Sequence, residues 1–137
     1  MTRINLVPVE ELVDKHLVAE KHEITRVLAL ARNHNPRTVK IPPTYRMGTG
    51  HVTFFYNKIG FIISRYHELC KEMRKRGFNV TELTTEAMLE GMPPHLVRGY
   101  NPTEEAIEIS RARLKERLLE IGYSLVLTSN WYNSFRN

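Results

Sequence analysis

The chain has a single cysteine, Cys70, among its 137 residues. One cysteine excludes an internal disulfide and a cysteine-based zinc cluster. Because Cys70 falls on the apolar face of a predicted helix, we expect a small buried thiol. No apolar run approaches the ~20 residues of a membrane span, and no apolar segment of the signal-peptide type stands near Met1. These absences predict an intracellular, cytoplasmic protein with no membrane partner.

The chain also lacks the common motifs of metal and nucleophile enzymes. Six histidines are present, but none falls in an H-E-x-x-H motif. His16 and Glu20 stand four residues apart and could share a metal ion, yet two ligands do not make a site. No nucleophile-elbow pattern and no partnered thiol supports a catalytic triad. We therefore expect no metal and no organic cofactor, and a metal-dependent nuclease has no visible ligand cluster.

Charge and composition point to a globular protein with an anionic partner. Hydrophobic residues make up 42% and charged residues 26%, and 20 Lys and Arg against 15 Asp and Glu give a net charge of +5. Such a composition is typical of a folded globule, and the length predicts one domain over residues 1–137. The positive charge favours nucleic acid as the partner, although a merely basic surface explains it equally well.

The first part of the chain predicts an arm followed by a helix. Thr2–Val7 shows no period, and Pro8 suits the first position of a helix that runs to about Arg32. Apolar and neutral residues recur at steps of three and four along one face: Val9, Leu12, Val13, His16, Leu17, Ile24, Val27 and Leu28. A second face carries Ala19, Glu23 and Arg26 beside His16 and His22. We expect the arm to fold back against this second face.

Irregular chain and a second helix follow. Residues 33–50 are rich in proline, glycine and cations, and they predict either a solvated loop or a phosphate-contacting one. Residues 51–56 (H-V-T-F-F-Y) predict an extended segment that packs its aromatic rings on the core. A helix is predicted from about Asn57 to Lys75, closed by Gly77. The cations Lys75 and Arg76 fit either helix-end electrostatics or a nucleic-acid patch.

The last third of the chain predicts a short helix, a long helix and an apolar tail. The short helix lies between Thr84 and Gly91, and Asn101-Pro102-Thr103-Glu104 reads as a cap, a first-position proline and a third-position glutamate ahead of a helix ending at Gly122. On this long helix Arg113 and Arg117 share one face, and Arg111 and Lys115 share roughly the opposite face. The tail from Tyr123 to Phe135 is too apolar to be free. The predicted fold is all-α: a single compact domain of three main helices with long irregular connections and a packed N-terminal arm.

An amine at the start of the chain could be a nucleophile. Threonine is small, so Met1 is expected to be removed, which leaves the α-amine of Thr2 as the new terminus. An α-amine titrates near 7.7–8.0, so that roughly a third of it is free base at pH 7.5, against ~0.1% of lysine. The adjacent Arg3 would lower the pKa of this amine further, and Glu23 could stabilise a cationic sugar or imine.

Several motifs resemble the phage endonuclease V family of pyrimidine-dimer DNA glycosylases. They are T-R-I-N-L from Thr2, H-L-x-A-E-x-x-E from His16 to Glu23 with Arg26, G-H-V-T-F-F-Y from Gly50, R-G-F-N from Arg76, I-S-x-A-R-L from Ile109 and W-Y at Trp131. The resemblance runs in order through nearly the whole chain. It implies a small all-α enzyme that cleaves the glycosidic bond of the 5′ base in a cyclobutane dimer and then nicks the strand by β-elimination.

The resemblance also implies roles for particular residues. Thr2 resembles the nucleophile whose amine attacks C1′ of the deoxyribose and forms an imine, and Glu23 resembles the carboxylate that stabilises the sugar cation. Cations that resemble the family's DNA-binding positions are Arg3, His22, Arg26, Arg113 and Arg117. The implied partner is double-stranded DNA containing pyrimidine dimers, and we expect a monomer of phage, viral or bacterial origin. The alternative is a basic helical DNA-binding protein without catalysis, which explains the charge but not the grouping of Thr2, Glu23 and Arg26.

Overall fold

A computed structural model describes residues 3–120 of the chain. Five α-helices occur in this part: α1 (Asp14–Glu23), α2 (Arg26–Asn33), α3 (Ile59–Lys75), α4 (Thr85–Leu89) and α5 (Glu104–Glu120). Three 3-10 turns, at Val9–Glu11, Thr53–Phe55 and Pro94–Leu96, lie between them. Residues 3–120 contain no β-strand, so the predicted all-α class is confirmed.

The prediction of a single helix from Pro8 to Arg32 was wrong, because a 3-10 turn and two separate α-helices cover this segment. Pro8 has ψ 141° and precedes a 3-10 turn, and Val13 is extended with ψ 156°, so the first α-helix begins only at Asp14. A second break follows Glu23, where the amides of Val27 and Leu28 bond three residues back instead of four. When the hydrogen bonds change from an i−4 to an i−3 acceptor, the helix axis changes direction although the backbone angles stay helical. The predicted apolar stripe is nevertheless buried except at Val13 and His16, which are half-buried.

Residues 51–56 form a turn instead of the predicted extended segment. The backbone is a 3-10 helix over Thr53–Phe55. The aromatic packing that we predicted is present, because Phe54, Phe55 and Tyr56 are all buried. Their rings meet neighbouring aromatic rings mostly edge to face, with centroids about 5–6 Å apart, for example 5.0 Å between Phe54 and Phe55.

Helix α3 is the central element, and it ends as its sequence predicts. Gly77 takes φ +93°, a left-handed conformation that favours glycine. The amide of Phe78 donates to the carbonyl of Met73 at 3.0 Å, and the amide of Gly77 donates to that of Arg74 at 3.0 Å. This pair of bonds is a Schellman closure, which satisfies carbonyls that the helix leaves open. Helix α1 packs on α3, and α2 packs on the turn at Thr53–Phe55.

Helix α5 begins two residues later than the predicted start. Thr103 is the capping residue, since its Oγ1 accepts from the amide of Ala106 at 3.1 Å, and Pro102 lies before the helix. The short helix was predicted correctly, and Thr84 caps it by accepting from the amide of Ala87 at 3.1 Å.

The predicted stop at Gly122 and the tail from Tyr123 to Phe135 lie outside the described residues. Within residues 3–120, no helix has both the length and the apolar character needed to cross a membrane.

Candidate active site

The arm at residues 3–7 folds back into the body of the molecule, as predicted. Ile4, Leu6 and Val7 are buried, with 0–5% of their surface exposed. The amide of Leu6 donates to Oγ of Ser110 on α5 at 3.0 Å. Ser110 is itself fully buried, so this bond ties the main chain of the arm to the interior face of α5. The arm therefore lies where α1 and α5 approach each other.

A cleft with a volume of about 460 Å³ opens between the arm, α1 and α5. Its walls combine cations, two carboxylates and a few apolar groups. The lining residues are Arg3, Asn5, Lys15, His16, Ala19, Glu20, Glu23, Arg113, Leu114 and Arg117. Helix α1 contributes residues at steps of three and four, which places them on one face.

The two carboxylates in the cleft have different surroundings. Glu20 is 2% exposed and forms a buried ion pair with Arg65 of α3, Oε2 to Nε 2.8 Å. Glu23 is half-buried, and among residues 3–120 it makes no hydrogen bond and no ion pair. Arg3 attracts it only at longer range. Glu20 is therefore committed to the fold, whereas the Glu23 carboxylate is available to a substrate.

A buried polar network connects Glu20 to the arm. Asn5 donates from Nδ2 to Oε1 of Glu20 at 2.8 Å, and Arg65 donates to the same oxygen at 3.2 Å. Arg65 also donates to the carbonyl of Val7 at 2.6 Å. Because the carboxylate can only accept, the amide of Asn5 must turn its nitrogen toward Glu20, and its Oδ1 has no partner among the described residues. The network holds the arm at two points next to the cleft.

Four cations line the cleft: Arg3, Lys15, Arg113 and Arg117. Burial and the neighbouring charges of Arg113 and Arg117 lower the pKa of Arg3, an effect that Glu23 partly opposes. Arg3 also lies 3.6 Å from Sδ of Met47. Arg113 pairs with Glu116 at 3.0 Å and Arg117 with Glu120 at 3.5 Å. Both partners are more than half exposed, so these pairs are weak and an anion can replace the carboxylates.

His16 is an uncharged imidazole on the wall of the cleft. Burial lowers its pKa to about 4, and the charges of Arg117, Lys15 and Arg3 lower it as well. Its Nδ1 is shielded from solvent and has no hydrogen-bond partner within residues 3–120. At neutral pH the side chain therefore adds a neutral hydrogen-bonding group to a cationic wall. The Glu20 carboxylate, which could have shared a metal ion with His16, is bound by Arg65 and Asn5.

The structure brings together part of the predicted site. Arg3, Glu23, Arg113 and Arg117 all line the cleft. Arg26 and His22 are exposed and do not line it. Thr2 lies outside the described residues.

Two other cations named in the sequence analysis form ion pairs within the fold. Arg111, on the opposite face of α5, binds the buried Glu11 at 2.8 Å. Arg76 binds Glu72 at 2.8 Å and Asp14 at 3.0 Å, so carboxylates of α3 and α1 hold its side chain.

Four structural side chains near the arm had not been anticipated from the sequence. Glu20 and Arg65 occupy stripe positions of their helices, and Ser110 stands one turn from Leu114 on the inner face of α5. A polar residue in an apolar stripe was the available signal, because a buried charge requires a partner. His51, which contacts Ile4, carried no comparable signal. Its partner is a main-chain amide, which a sequence pattern does not reveal.

The cleft combines an available carboxylate with cations that suit an anionic polymer. Within residues 3–120, no group of three or more His, Cys, Asp and Glu side chains could hold a metal ion. A comparison with protein families finds a match over residues 1–86, to the family described as pyrimidine dimer DNA glycosylase. The matched segment includes the arm, all of α1, α2 and α3, and the start of α4.

Proposed function

Since the chain belongs to the pyrimidine dimer DNA glycosylase family and is an enzyme that acts on DNA containing such dimers, we propose that it is also an abasic-site lyase. It cleaves the N-glycosidic bond of the 5′ base in a UV-induced cyclobutane dimer and then nicks the same strand. The observation that carries the proposal is the Glu23 carboxylate, unpaired within residues 3–120, in a cationic cleft that Arg3 also lines.

The nucleophile in this proposal is the α-amine of Thr2 after removal of Met1. Thr2 is bonded directly to Arg3, which lines the cleft, and this link to the cleft supports the assignment. Arg113 and Arg117 lower the pKa of Arg3, and we expect their charges to disfavour protonation of the neighbouring amine in the same way. A larger fraction of the amine is then free base at neutral pH, which is the form that attacks carbon.

The reaction has two stages. In the first, the amine nitrogen bonds to C1′, the C1′–N1 bond breaks, and the 5′ base takes the electron pair while it stays joined to its neighbour through the cyclobutane ring. The amine loses a proton and the sugar ring opens to give an imine. In the second, a base removes a C2′ proton, the C3′–O bond breaks, and the 3′ phosphate leaves. Water then hydrolyses the imine and frees the amine.

Glu23 serves both stages in this scheme. Its negative charge stabilises the cationic sugar as the base departs, and the carboxylate assists the removal of the C2′ proton. Arg3, Arg113 and Arg117 bind DNA phosphates around the dimer. Arg26 and His22 bind DNA outside the cleft, where both are exposed. We further propose that residues 1–137 act as one monomeric unit without metal or organic cofactor.

Borohydride trapping on duplex DNA with a single thymine dimer tests this function. Borohydride reduces an imine to a stable amine, so an imine-forming enzyme becomes covalently attached to the DNA. We expect attachment with protein that lacks Met1, and none with protein that carries one extra residue ahead of Thr2. Nicking should persist in EDTA. Nicking by the extended protein at the normal rate would contradict the assigned nucleophile, and dimer binding without attachment or cleavage would favour a non-catalytic DNA-binding protein.

A further inference from the structure

The main chain of Ile4 is held on both sides by side chains from the loop before Thr53. Its amide donates to Nε2 of His51 at 2.8 Å. Its carbonyl accepts from the hydroxyl of Tyr45 at 2.9 Å. The arm has no strand partner within residues 3–120, so these side chains replace the main-chain bonds that a sheet would supply. The His51 contact holds the main chain of the arm two residues after Thr2.

The partners of His51 determine its protonation state. A main-chain amide can only donate, so Nε2 must carry a lone pair. On the other side of the ring, Nδ1 lies 2.8 Å from the carbonyl of Arg46, which can only accept, so Nδ1 must carry the proton. One neutral tautomer satisfies both bonds. A proton added at Nε2 would point at the amide hydrogen of Ile4 and would break that bond.

The surroundings of His51 favour this neutral form. The residue is 5% exposed, and its ring meets the edges of Tyr45 and Phe55 at centroid distances of 5.3 and 5.9 Å. Burial lowers its pKa, the charge of Arg3 lowers it further, and the carbonyl of Arg46 and the charge of Glu20 act in the opposite direction. Tyr45 stays un-ionised, because burial raises its pKa to about 12.

We propose that His51 is a positioning residue whose neutral imidazole docks the arm and so sets the chain terminus in the cleft, and that its protonation undocks the arm and slows imine formation. The inference rests on the proposed function, because it assigns His51 an effect on the Thr2 amine. In this proposal His51 does not act on the substrate or on the amine directly. It acts through Ile4.

Two substitutions of His51 distinguish the hydrogen bond made by Nε2 from the one made by Nδ1. His51→Gln places a carbonyl oxygen near the position of Nε2, where it accepts from Ile4 and does not titrate. His51→Asn places its amide near the position of Nδ1, where it reaches the carbonyl of Arg46 but not Ile4. His95→Gln is the control, since it removes an exposed imidazole in the turn Pro94–Leu96. All four proteins are compared by single-turnover borohydride trapping on dimer DNA between pH 5 and pH 8.

At pH 8 we expect His51→Asn to lower the trapping rate about tenfold, the size of a lost buried hydrogen bond, with the half-saturating DNA concentration unchanged. His51→Gln and His95→Gln should stay within about twofold of the wild type. Below the lowered pKa of His51 the logarithm of the wild-type rate should fall with a slope of two, one proton for the amine and one for His51. His51→Gln should keep a slope of one. His16 is common to all four proteins, so it does not affect the comparison between them.

Two results would overturn the inference: an unchanged trapping rate in His51→Asn, or an acid slope of two in His51→Gln. If His51→Asn does not fold, the slope of His51→Gln decides alone. The amide resonance of Ile4 gives an independent measure of docking. It should shift with the protonation of His51 in the wild type and stay constant in His51→Gln. Absence of trapping in the wild type at every pH would refute the proposed function, while the Ile4 titration would still decide whether His51 docks the arm.

Discussion

Replacing Arg65 by methionine should destabilise the protein strongly at neutral pH and only weakly in mild acid. Arg65 and Glu20 have side chains only 6% and 1% exposed, so the substitution leaves a buried carboxylate without its partner. The carboxylate can escape this cost by taking a proton. Holding a glutamate protonated costs about 1.4 kcal/mol for each pH unit above ~4.3, which is ~3.7 kcal/mol at pH 7 and ~1 kcal/mol at pH 5. The carbonyl of Val7 also loses its donor, which adds about 1 kcal/mol at either pH.

Urea unfolding at pH 7 and pH 5 measures both numbers. We expect Arg65→Met to lower the free energy of unfolding by about 4–5 kcal/mol at pH 7 and by about 2 kcal/mol at pH 5. The double variant Glu20→Gln with Arg65→Met removes the buried charge, so its loss should be smaller at pH 7 and should not vary with pH. Arg37→Met, an exposed arginine, is the control and should change the free energy by less than ~0.5 kcal/mol.

A loss below about 1 kcal/mol at pH 7 would show that the pair does not stabilise the fold. An equal loss at both pH values would show that Glu20 does not become protonated when Arg65 is absent. Either result would contradict the claim that Glu20 stabilises the fold whereas Glu23 is available to a substrate.

Three further predictions concern the cleft. Glu23→Gln should bind dimer DNA within about threefold of the wild type and lose at least ~100-fold in cleavage, measured by gel shift and nicking; unchanged turnover would exclude the assigned role. Arg117→Gln should reduce the slope of log affinity against log salt by about one, whereas Arg111→Gln on the opposite face should leave that slope unchanged and lower stability, and equal slopes would contradict the phosphate contact. The His16 pKa of about 4 lies below its unfolded value of ~6.5, so the unfolded chain binds more protons in this window and stability should fall as the pH drops from 6.5 to 4. Discounted for partial exposure, the part of this fall due to His16 is about 1–2 kcal/mol, and His16→Gln should make the fall in urea unfolding smaller by that amount, while the buried His51 still contributes to it.

The sequence alone was sufficient to predict helix ends that are marked by a capping residue or by a terminating glycine. Gly77 after cationic residues located the end of α3, and Thr84 located the start of α4. The start of α5 was predicted two residues too early, because Asn101 and Thr103 are both good capping residues and each is followed by acids. The break after Glu23 could not be predicted, since Ile24 and Thr25 keep right-handed helical angles and only the hydrogen-bond step changes.

In the candidate site, too, some residues could be predicted from the sequence and others could not. Glu23, Arg113 and Arg117 were found because helical spacing and the family resemblance both apply to them. The contacts of His51 and Arg65 with the arm join residues 47 and 58 positions apart, and main-chain partners leave no sequence pattern. Such long-range contacts depend on how the arm returns to the body, which periodicity within a helix does not specify.

The site of covalent attachment tests the central claim most directly. Complex trapped with borohydride is digested with trypsin and nuclease, and mass spectrometry locates the sugar remnant. The proposed mechanism predicts that the remnant lies on the α-amine of Thr2 in the first tryptic peptide, which ends at Arg3. A remnant on a lysine side chain, such as Lys15 in the wall of the cleft, would contradict it.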